Sequence, residues 1–330
     1  MAARENILLI RLKSIGDILF TLPAVHAVRE NFPGARLHFL VSKEFAPLLR
    51  GFAEVDEVIP FDRAAFHSKF FPAVGLSAFR LVRRLRRENF SLVIDLQGYG
   101  ETAWLSWLSG APERWASVYE SARAWACTRG AWRDITLHPA EWNLSLLRQC
   151  GLRTGEVRNE YIVPEDALAE ARKFFAANNL DPARPTLFLQ PFTSTPFKDW
   201  PLENFLALAR HWQARGWQVL FGGGPSDRAA LEPARAAGFV VAAGAPLLVT
   251  AGLMKLSTFV AGADTGLLHL AVAAGKRVVM LMPSAAIVTR PFQHSDWALA
   301  PAHDQPISSL ETKTVIEACT RALDEQRSLA

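Results

Sequence analysis

Val260-Ala-Gly-Ala-Asp-Thr-Gly-Leu-Leu-His-Leu-Ala-Val-Ala-Ala-Gly275 decides how this chain is read. Ser257 to Ala261 is apolar and β-branched enough for the end of a buried strand. Asp264 or Thr265 can cap a helix start. Leu267 to Ala274 is apolar on every side apart from His269, so that helix belongs inside a fold. A helix start carries unpaired N–H groups and a partial positive charge, which suits a phosphate, and Gly266 lets a ligand approach the backbone. A strand-to-helix turn with an ordinary cap has the same pattern. The histidine one turn past the cap favours a ligand site.

Working outward, the second half repeats this strand–helix unit. Strands are predicted at Thr186–Gln190, Trp217–Phe221, Phe239–Ala242, Thr258–Ala261 and Arg277–Met282. The first half does the same. Asn6–Leu12, Arg36–Val41, Val55–Phe61 and Ser91–Gln97 read as buried parallel strands with helical segments between them. Thr154 to Pro164 is polar and aperiodic and serves as the linker. Two doubly wound α/β domains are expected, 1–160 and 161–330, with a cleft between facing loops. A last helix at about Leu310–Gln326 is expected to pack back on the first domain.

The chain has 330 residues, half of them hydrophobic, enough for two cores. Residues 1–160 carry 21 Lys and Arg against 17 Asp and Glu, whereas 161–330 carry 15 of each. The basic half favours an acidic partner. Cys127, Cys150 and Cys319 are far apart, match no metal spacing, and read as reduced cytosolic thiols. No signal peptide is expected, and Lys255 interrupts the most apolar run, Leu247–Val260. A cytoplasmic protein, at most peripheral to the inner membrane, is the expectation.

Polar corners follow the strands. Lys13-Ser-Ile-Gly-Asp17 follows the first, and Asp17 is either a helix cap or a general base. A restart or kink is expected near Thr21 and Pro23. Thr193-Ser-Thr-Pro-Phe-Lys198 follows the first strand of the second half and offers hydroxyls and a cation for an anion, or is a surface loop anchored by Trp200. Gly222-Gly-Gly-Pro225 lacks the Lys-Ser/Thr of a P-loop, though glycines would admit a ligand. Leu76 to Glu88 places Leu76, Phe79, Val82 and Leu85 on one helical face and five arginines largely on the others, a solvated face or a phosphate patch. Lys69-Phe70-Phe71 could touch a lipid surface. Trp104, Trp107, Trp115 and Trp125 read as core.

Taken in order, Lys13-Ser-Ile-Gly-Asp17-Ile-Leu with Thr21-Leu-Pro23, then Thr193–Lys198 with Trp200-Pro201, then Gly222–Pro225, then Asp264-Thr-Gly-Leu-Leu-His269, the motifs resemble the ADP-heptose:lipopolysaccharide heptosyltransferase family, glycosyltransferase family 9. The resemblance covers nearly the whole chain. It implies the GT-B fold and an inverting, metal-independent transfer of heptose, with no cofactor. The donor implied is ADP-L-glycero-β-D-manno-heptose on the second domain. The acceptor implied is a Kdo-containing or heptosylated lipid A core on the first. Asp17 matches the family's catalytic aspartate, and Lys198 a catalytic lysine near the donor diphosphate. Thr265 and Gly266 match the phosphate turn, Asp264 an acid on the donor sugar, and His269 the same signature. Asp227 is assigned to the ribose hydroxyls, and Ser14, Gly16, Thr193, Ser194 and Thr195 complete the donor set. Lys13, Arg63, Lys69 and Arg80 are the acceptor-binding candidates.

A monomer with no nucleic-acid partner is the expectation. Met282-Pro-Ser284 departs from the Gly-Pro-Thr common in the family at this point, and bears on donor identity. A GT-B transferase with another nucleotide sugar, and a non-catalytic sugar-nucleotide binder, are the alternatives. A nucleic-acid binder using the arginine-rich helix lacks a recognition motif.

Overall fold

The computed structural model describes residues Glu5–Arg63 and Phe71–Ser328. The chain divides into two units, Met1–Glu160 and Tyr161–Ala330. In the first, the order is β1 (Asn6–Ile10), α1 (Ile15–Leu19), α2 (Leu22–Asn31), β2 (Arg36–Ser42), β3 (Glu57–Phe61), α3 (Phe71–Arg87), β4 (Leu92–Asp95), α4 (Gly100–Leu108), β5 (Glu113–Val118), β6 (Arg129–Trp132) and α5 (Pro139–Gln149). All six strands are parallel, in the order β3-β2-β1-β4-β5-β6. Ile7 to Ile10 of β1 are fully inaccessible, as a central strand covered on both faces requires. Leu81 and Leu85 of α3 and Leu105 of α4 pack with Leu8, Ile10, Leu40 and Val93 on one face. α2 and α5 pack against each other, on the opposite face if the crossovers are right-handed.

The second unit runs α6 (Glu165–Ala177), β7 (Thr186–Gln190), α7 (Leu202–Gln213), β8 (Gln218–Gly223), α8 (Glu232–Ala236), β9 (Val240–Ala243), α9 (Leu247–Leu256), β10 (Phe259–Ala263), α10 (Gly266–Ala273), β11 (Val278–Leu281), β12 (Ala298–Leu299) and α11 (Thr312–Ser328). Its sheet is again parallel, in the order β12-β11-β10-β7-β8-β9. Counted within each unit, both sheets follow 3-2-1-4-5-6, the doubly wound Rossmann order. The face of α11 that carries Val315, Cys319, Ala322 and Leu323 joins the second core with Trp200, Phe205 and Val279. No helix among the described residues is long and apolar enough to cross a membrane.

The structure corrects several readings of the sequence. β5, β6 and β12 were not predicted. β5 carries Glu113 and Arg114, β6 is an edge strand with three exposed residues, and β12 is two residues long, so none has a continuous apolar pattern. The α1 helix starts at Ile15 with Ser14 at its N-cap position, so Asp17 is not the cap residue. The restart is found where Thr21 precedes α2 with Pro23 in its first turn. Of the tryptophans read as core, Trp115 is buried but Trp104, Trp107 and Trp125 stand exposed. Gly222 and Gly223 serve internal packing: an added Cβ would sit 2.3 Å from the Phe188 ring and 2.6 Å from Leu231 Cδ1. Close approach to the neighbouring strand at Gly222, and to the segment leading into α8 at Gly223, accounts for both glycines without a ligand.

Candidate functional site

In a doubly wound sheet, the loops on either side of the point where strand order reverses open a crevice at the carboxyl ends. That point lies between β1 and β4 in the first unit and between β7 and β10 in the second. The Lys13–Asp17 corner follows β1, the Thr193–Lys198 loop follows β7 and the Asp264-Thr-Gly turn follows β10, three of these four strands; the Gly222–Pro225 turn follows β8 instead.

In the second unit, Lys198 occupies a short 3₁₀ turn, Pro196–Lys198, at the end of the β7 loop. Its Nζ donates to Asp264 Oδ2 at 2.7 Å, and His269 Nε2 lies 3.5 Å from the other carboxylate oxygen. The Asp264 side chain is 5% exposed and Lys198's is 28% exposed. Burial alone would push the Asp264 carboxyl up. Hydrogen bonds from His269 and Lys198, with the positive charge of each, outweigh burial and hold it below the ordinary value. Thr265, not Asp264, is the N-cap of α10, and its hydroxyl accepts from the Leu267 N–H at 3.0 Å. The cap leaves Asp264 free to face Lys198. One cation, one carboxylate, one imidazole and a helix start thus converge at the second reversal point.

The β7 loop is held from inside. The Thr193 N–H donates to Asp199 Oδ1 at 2.8 Å. The Thr193 hydroxyl donates to the Thr195 carbonyl and accepts from the Thr195 N–H. Ser194 is exposed. Trp200 is wholly buried, and its indole N–H donates to the Leu310 carbonyl at 2.9 Å, so the anchor read from the sequence is present. Burial raises the Asp199 pKa, against the Thr193 hydrogen bonds, and the Asp227 charge raises it further. Asp227 accepts from the Gly224 N–H at 2.7 Å and from the Ser226 hydroxyl at 3.2 Å, so both its oxygens are engaged in the turn after β8.

In the first unit, Asp17 sits at the third position of α1. Its Oδ2 accepts from the Ser14 N–H and the Ser14 hydroxyl, both at 3.2 Å. Its Oδ1 meets Arg11 Nη2 at 2.8 Å. The Asp17 side chain is 37% exposed, whereas Arg11's is 8% exposed. Arg11 also donates to the carbonyls of Lys13 and Leu96. The Gln97 amide oxygen accepts from the Leu12 N–H at 2.8 Å. The two corners flanking the first reversal point are therefore tied together by Arg11 and Gln97. Gly16 is buried in the corner, and Lys13 and Ser14 are exposed at its rim.

The Asp95 turn shapes the other wall. Asp95 Oδ1 accepts from the N–H groups of Gln97 and Gly98, each at 2.9 Å. Burial raises the Asp95 pKa, against hydrogen bonds from Gly98, Thr102 and Gln97 and the charge of Arg11. Gly98 has φ +71°, and an added Cβ would lie 1.9 Å from the Ser117 carbonyl oxygen, so only glycine fits. Arg133 reaches the same wall. It donates to the Gln97 carbonyl and the Ser117 hydroxyl, each at 3.1 Å, and its guanidinium lies 3.8 Å over the Tyr119 ring. Burial lowers the Arg133 pKa, and burial with a Tyr99 hydrogen bond pushes the Tyr119 phenol up to about 12.

Arg11, Gln97, Asp199 and Arg133 were missed in the sequence. Arg11 could have been found: a cation inside a run as apolar as Ile7–Leu12 needs a carboxylate partner, and Asp17 is one of the two nearest in sequence, with Glu5. Of the acceptor candidates, Arg63 is engaged by Glu101, with contacts of 3.1 and 3.0 Å. Arg80 is exposed on α3, and Lys69 lies outside the described residues. Among the described residues, no group of three or more His, Cys, Asp or Glu side chains is placed to hold a metal ion.

Solved structures with this architecture identify the fold. The chain is similar to a glycosyl transferase family 9 protein from Veillonella parvula, with a TM-score of 0.88 at 20% identity, covering 98% of this chain and 99% of that one. It is similar to Escherichia coli heptosyltransferase WaaC with ADP, with a TM-score of 0.77 at 22% identity, covering 96% and 99%. The fold is GT-B: two Rossmann-like units, each with its polar cluster at the reversal point.

The family follows from the sequence. The profile of glycosyltransferase family 9 (heptosyltransferase) matches residues 78–318, and the chain belongs to that family of glycosyltransferases. The matched span holds Lys198, Asp264, Thr265 and His269 and leaves Asp17 outside it. Among curated relatives, lipopolysaccharide heptosyltransferase 1 of Pseudomonas aeruginosa is 29% identical over 280 residues, 81% of this chain and 76% of that protein. Lipopolysaccharide heptosyltransferase 1 of Escherichia coli K12 is 25% identical over 279 residues, 81% and 84% respectively.

Proposed function

We propose that this enzyme transfers heptose from ADP-L-glycero-β-D-manno-heptose to an inner-core lipopolysaccharide acceptor, a Kdo-containing or heptosylated lipid A, with inversion and without a metal. The observation that carries the reading is the Lys198–Asp264–His269 cluster beside the capped start of α10. The names of the relatives support the acceptor class. One solved structure of heptosyltransferase WaaC carries ADP and another ADP-2-deoxy-2-fluoro heptose, which supports an ADP-linked donor.

On this reading the second unit holds the donor and the first the acceptor. The diphosphate lies against the N–H groups at Thr265 and Gly266, and Lys198 turns from Asp264 alone to share its charge with the phosphates. Negative charge grows on the departing ADP as its bond to the anomeric carbon breaks. A cation and a helix start fixed in advance stabilise that charge. Asp264, oriented by His269, is placed to accept hydrogen bonds from heptose hydroxyls. The acceptor oxygen attacks from the opposite side, and Asp17, aimed by Arg11, takes its proton.

A transferase using another nucleotide sugar is the second reading, favoured by Met282-Pro283-Ser284. Calorimetry with ADP-heptose, ADP-glucose and UDP-glucose separates the two. Tightest binding of ADP-heptose supports the proposal, and preference for another sugar nucleotide ends it. The anomeric configuration of the product, and turnover in the presence of a chelator, test inversion and metal independence.

A further inference from the structure

Trp104 and Trp107 lie three residues apart on the outer side of α4, and Trp125 joins them from the 3₁₀ segment Ser121–Ala126. They are 55%, 45% and 48% exposed. Their ring centroids are 4.7 to 6.1 Å apart, all edge-on to one another. The inner side of α4 is buried through Ala103, Leu105 and Ser106. The outer side thus presents indoles where a soluble helix normally presents charge.

The neighbouring helix supplies the charge. α3 and α4 both follow strands of one parallel sheet and pack side by side. Arg86 Nε donates to the Leu108 carbonyl at 3.1 Å, which fixes α3 beside the last turn of α4. Phe79, Val82, Arg83, Arg86 and Arg87 line an open cavity of about 360 Å³ on the outer side of α3. Phe79 is 61% exposed. Arg84 pairs with Glu57, and among the described residues no ion pair engages the other four arginines of α3.

We infer that this flank of the first unit is a docking surface for an anionic lipid bilayer. Indoles rest at the boundary between headgroups and acyl chains, and arginines beside them meet anionic headgroups. Two other occupants fit less well. A second copy related by a two-fold axis would bring the arginine face towards itself, like charge against like. Single-stranded nucleic acid needs open ring faces for base stacking, whereas these rings cover one another edge to face. The transferase reading gives the surface a purpose, since a lipid A acceptor lies in a membrane, but the surface does not depend on the donor.

The test is co-sedimentation of the full chain with phosphatidylcholine vesicles, with and without phosphatidylglycerol. The expected result is binding only to the anionic vesicles, weakened by salt, with a blue shift of tryptophan emission. Replacing the three indoles (Trp104→Ser, Trp107→Ser, Trp125→Ser) reduces partitioning at least about tenfold. Arg83→Gln with Arg87→Gln reduces it about 25-fold, at about fivefold for each arginine near an anionic surface. The arginine pair is solvent-facing, so it tests the surface even where the tryptophan variant folds poorly. Wild-type protein that ignores anionic vesicles, variants that bind as well as wild type, or a dimer dissolved by the tryptophan changes overturns the inference. No donor is present, so failure here leaves the transferase reading standing.

Discussion

Lys198→Ala separates the ion pair that the structure shows from the ADP-binding role proposed for the same side chain. Its ammonium is the nearer of the two partners of the Asp264 carboxylate, at 2.7 Å against 3.5 Å for His269. Removing one partner of a fully buried pair costs about 3–5 kcal/mol. Lys198 is partly exposed and His269 remains, so the expected loss of stability is smaller, about 1–3 kcal/mol.

The sign of its pH dependence is fixed by Asp264. The folded pKa lies below the ordinary 3.8, so the stabilisation is complete above that value and is lost as pH falls through the folded pKa. Without Lys198 one hydrogen bond and one positive charge that hold the carboxyl down are lost, so it titrates higher than in wild type. The stability gap between wild type and variant is therefore widest near neutrality and narrows as pH falls towards 3.8. Denaturant melts at several pH values measure it. The second role is read by calorimetry with ADP and by turnover. Loss of a charge-assisted hydrogen bond of about 1.5–3 kcal/mol weakens ADP about 10- to 150-fold, and loss of one charge-stabilising donor slows transfer about 10²–10³-fold. Unchanged ADP affinity and turnover would take the lysine out of the site. A pH-independent stability gap would refute the buried-pair argument.

Three further outcomes are expected. Arg11→Gln leaves ADP affinity near wild type and lowers turnover, because Arg11 aims Asp17 from a buried position; unaltered turnover removes that role. Gly98→Ala destabilises by at least about 2 kcal/mol, since both the left-handed backbone and the Ser117 carbonyl oppose a Cβ, and a melt within error of wild type contradicts the turn geometry. In native protein a thiol reagent modifies Cys127 first, because burial pushes the Cys150 thiol up to about 11 and that of the inaccessible Cys319 up to about 12; mass mapping of the labelled positions checks it.

The fold was legible because its central strands are apolar on both faces. Ile7–Ile10, Leu187–Leu189 and Val278–Met282 are short continuous apolar runs that fit strands covered on both faces, and their alternation with helices leaves few topologies. The edges were not legible. Arg129–Trp132 forms a strand through backbone pairing with β5, and backbone pairing leaves no signature in side chains. The cluster around Asp264 was legible in outline, since Asp264-Thr-Gly and His269 bracket a helix start. Which of Asp264 and Thr265 caps the helix was settled by the Thr265 hydroxyl. The exposed tryptophans were misread because large apolar residues default to the core. Their i, i+3 spacing on α4 does not reveal which side of the helix meets the sheet.

The account turns on Asp17, and Asp17→Asn tests it most directly. Asparagine keeps an oxygen to accept from the Ser14 N–H, but cannot take a proton from the acceptor hydroxyl near neutral pH. The measurement is single-turnover transfer from ADP-heptose to a Kdo-lipid A acceptor, with ADP affinity and melting point taken on the same preparation. The expected result is a folded protein with near-normal ADP binding and transfer slowed about 10²–10⁴-fold. Transfer within a few-fold of wild type would contradict the assignment. The proton would then have to go elsewhere, and His26 on α2, held 2.9 Å from Glu54, and Glu101, engaged by Arg63, would be the side chains to test.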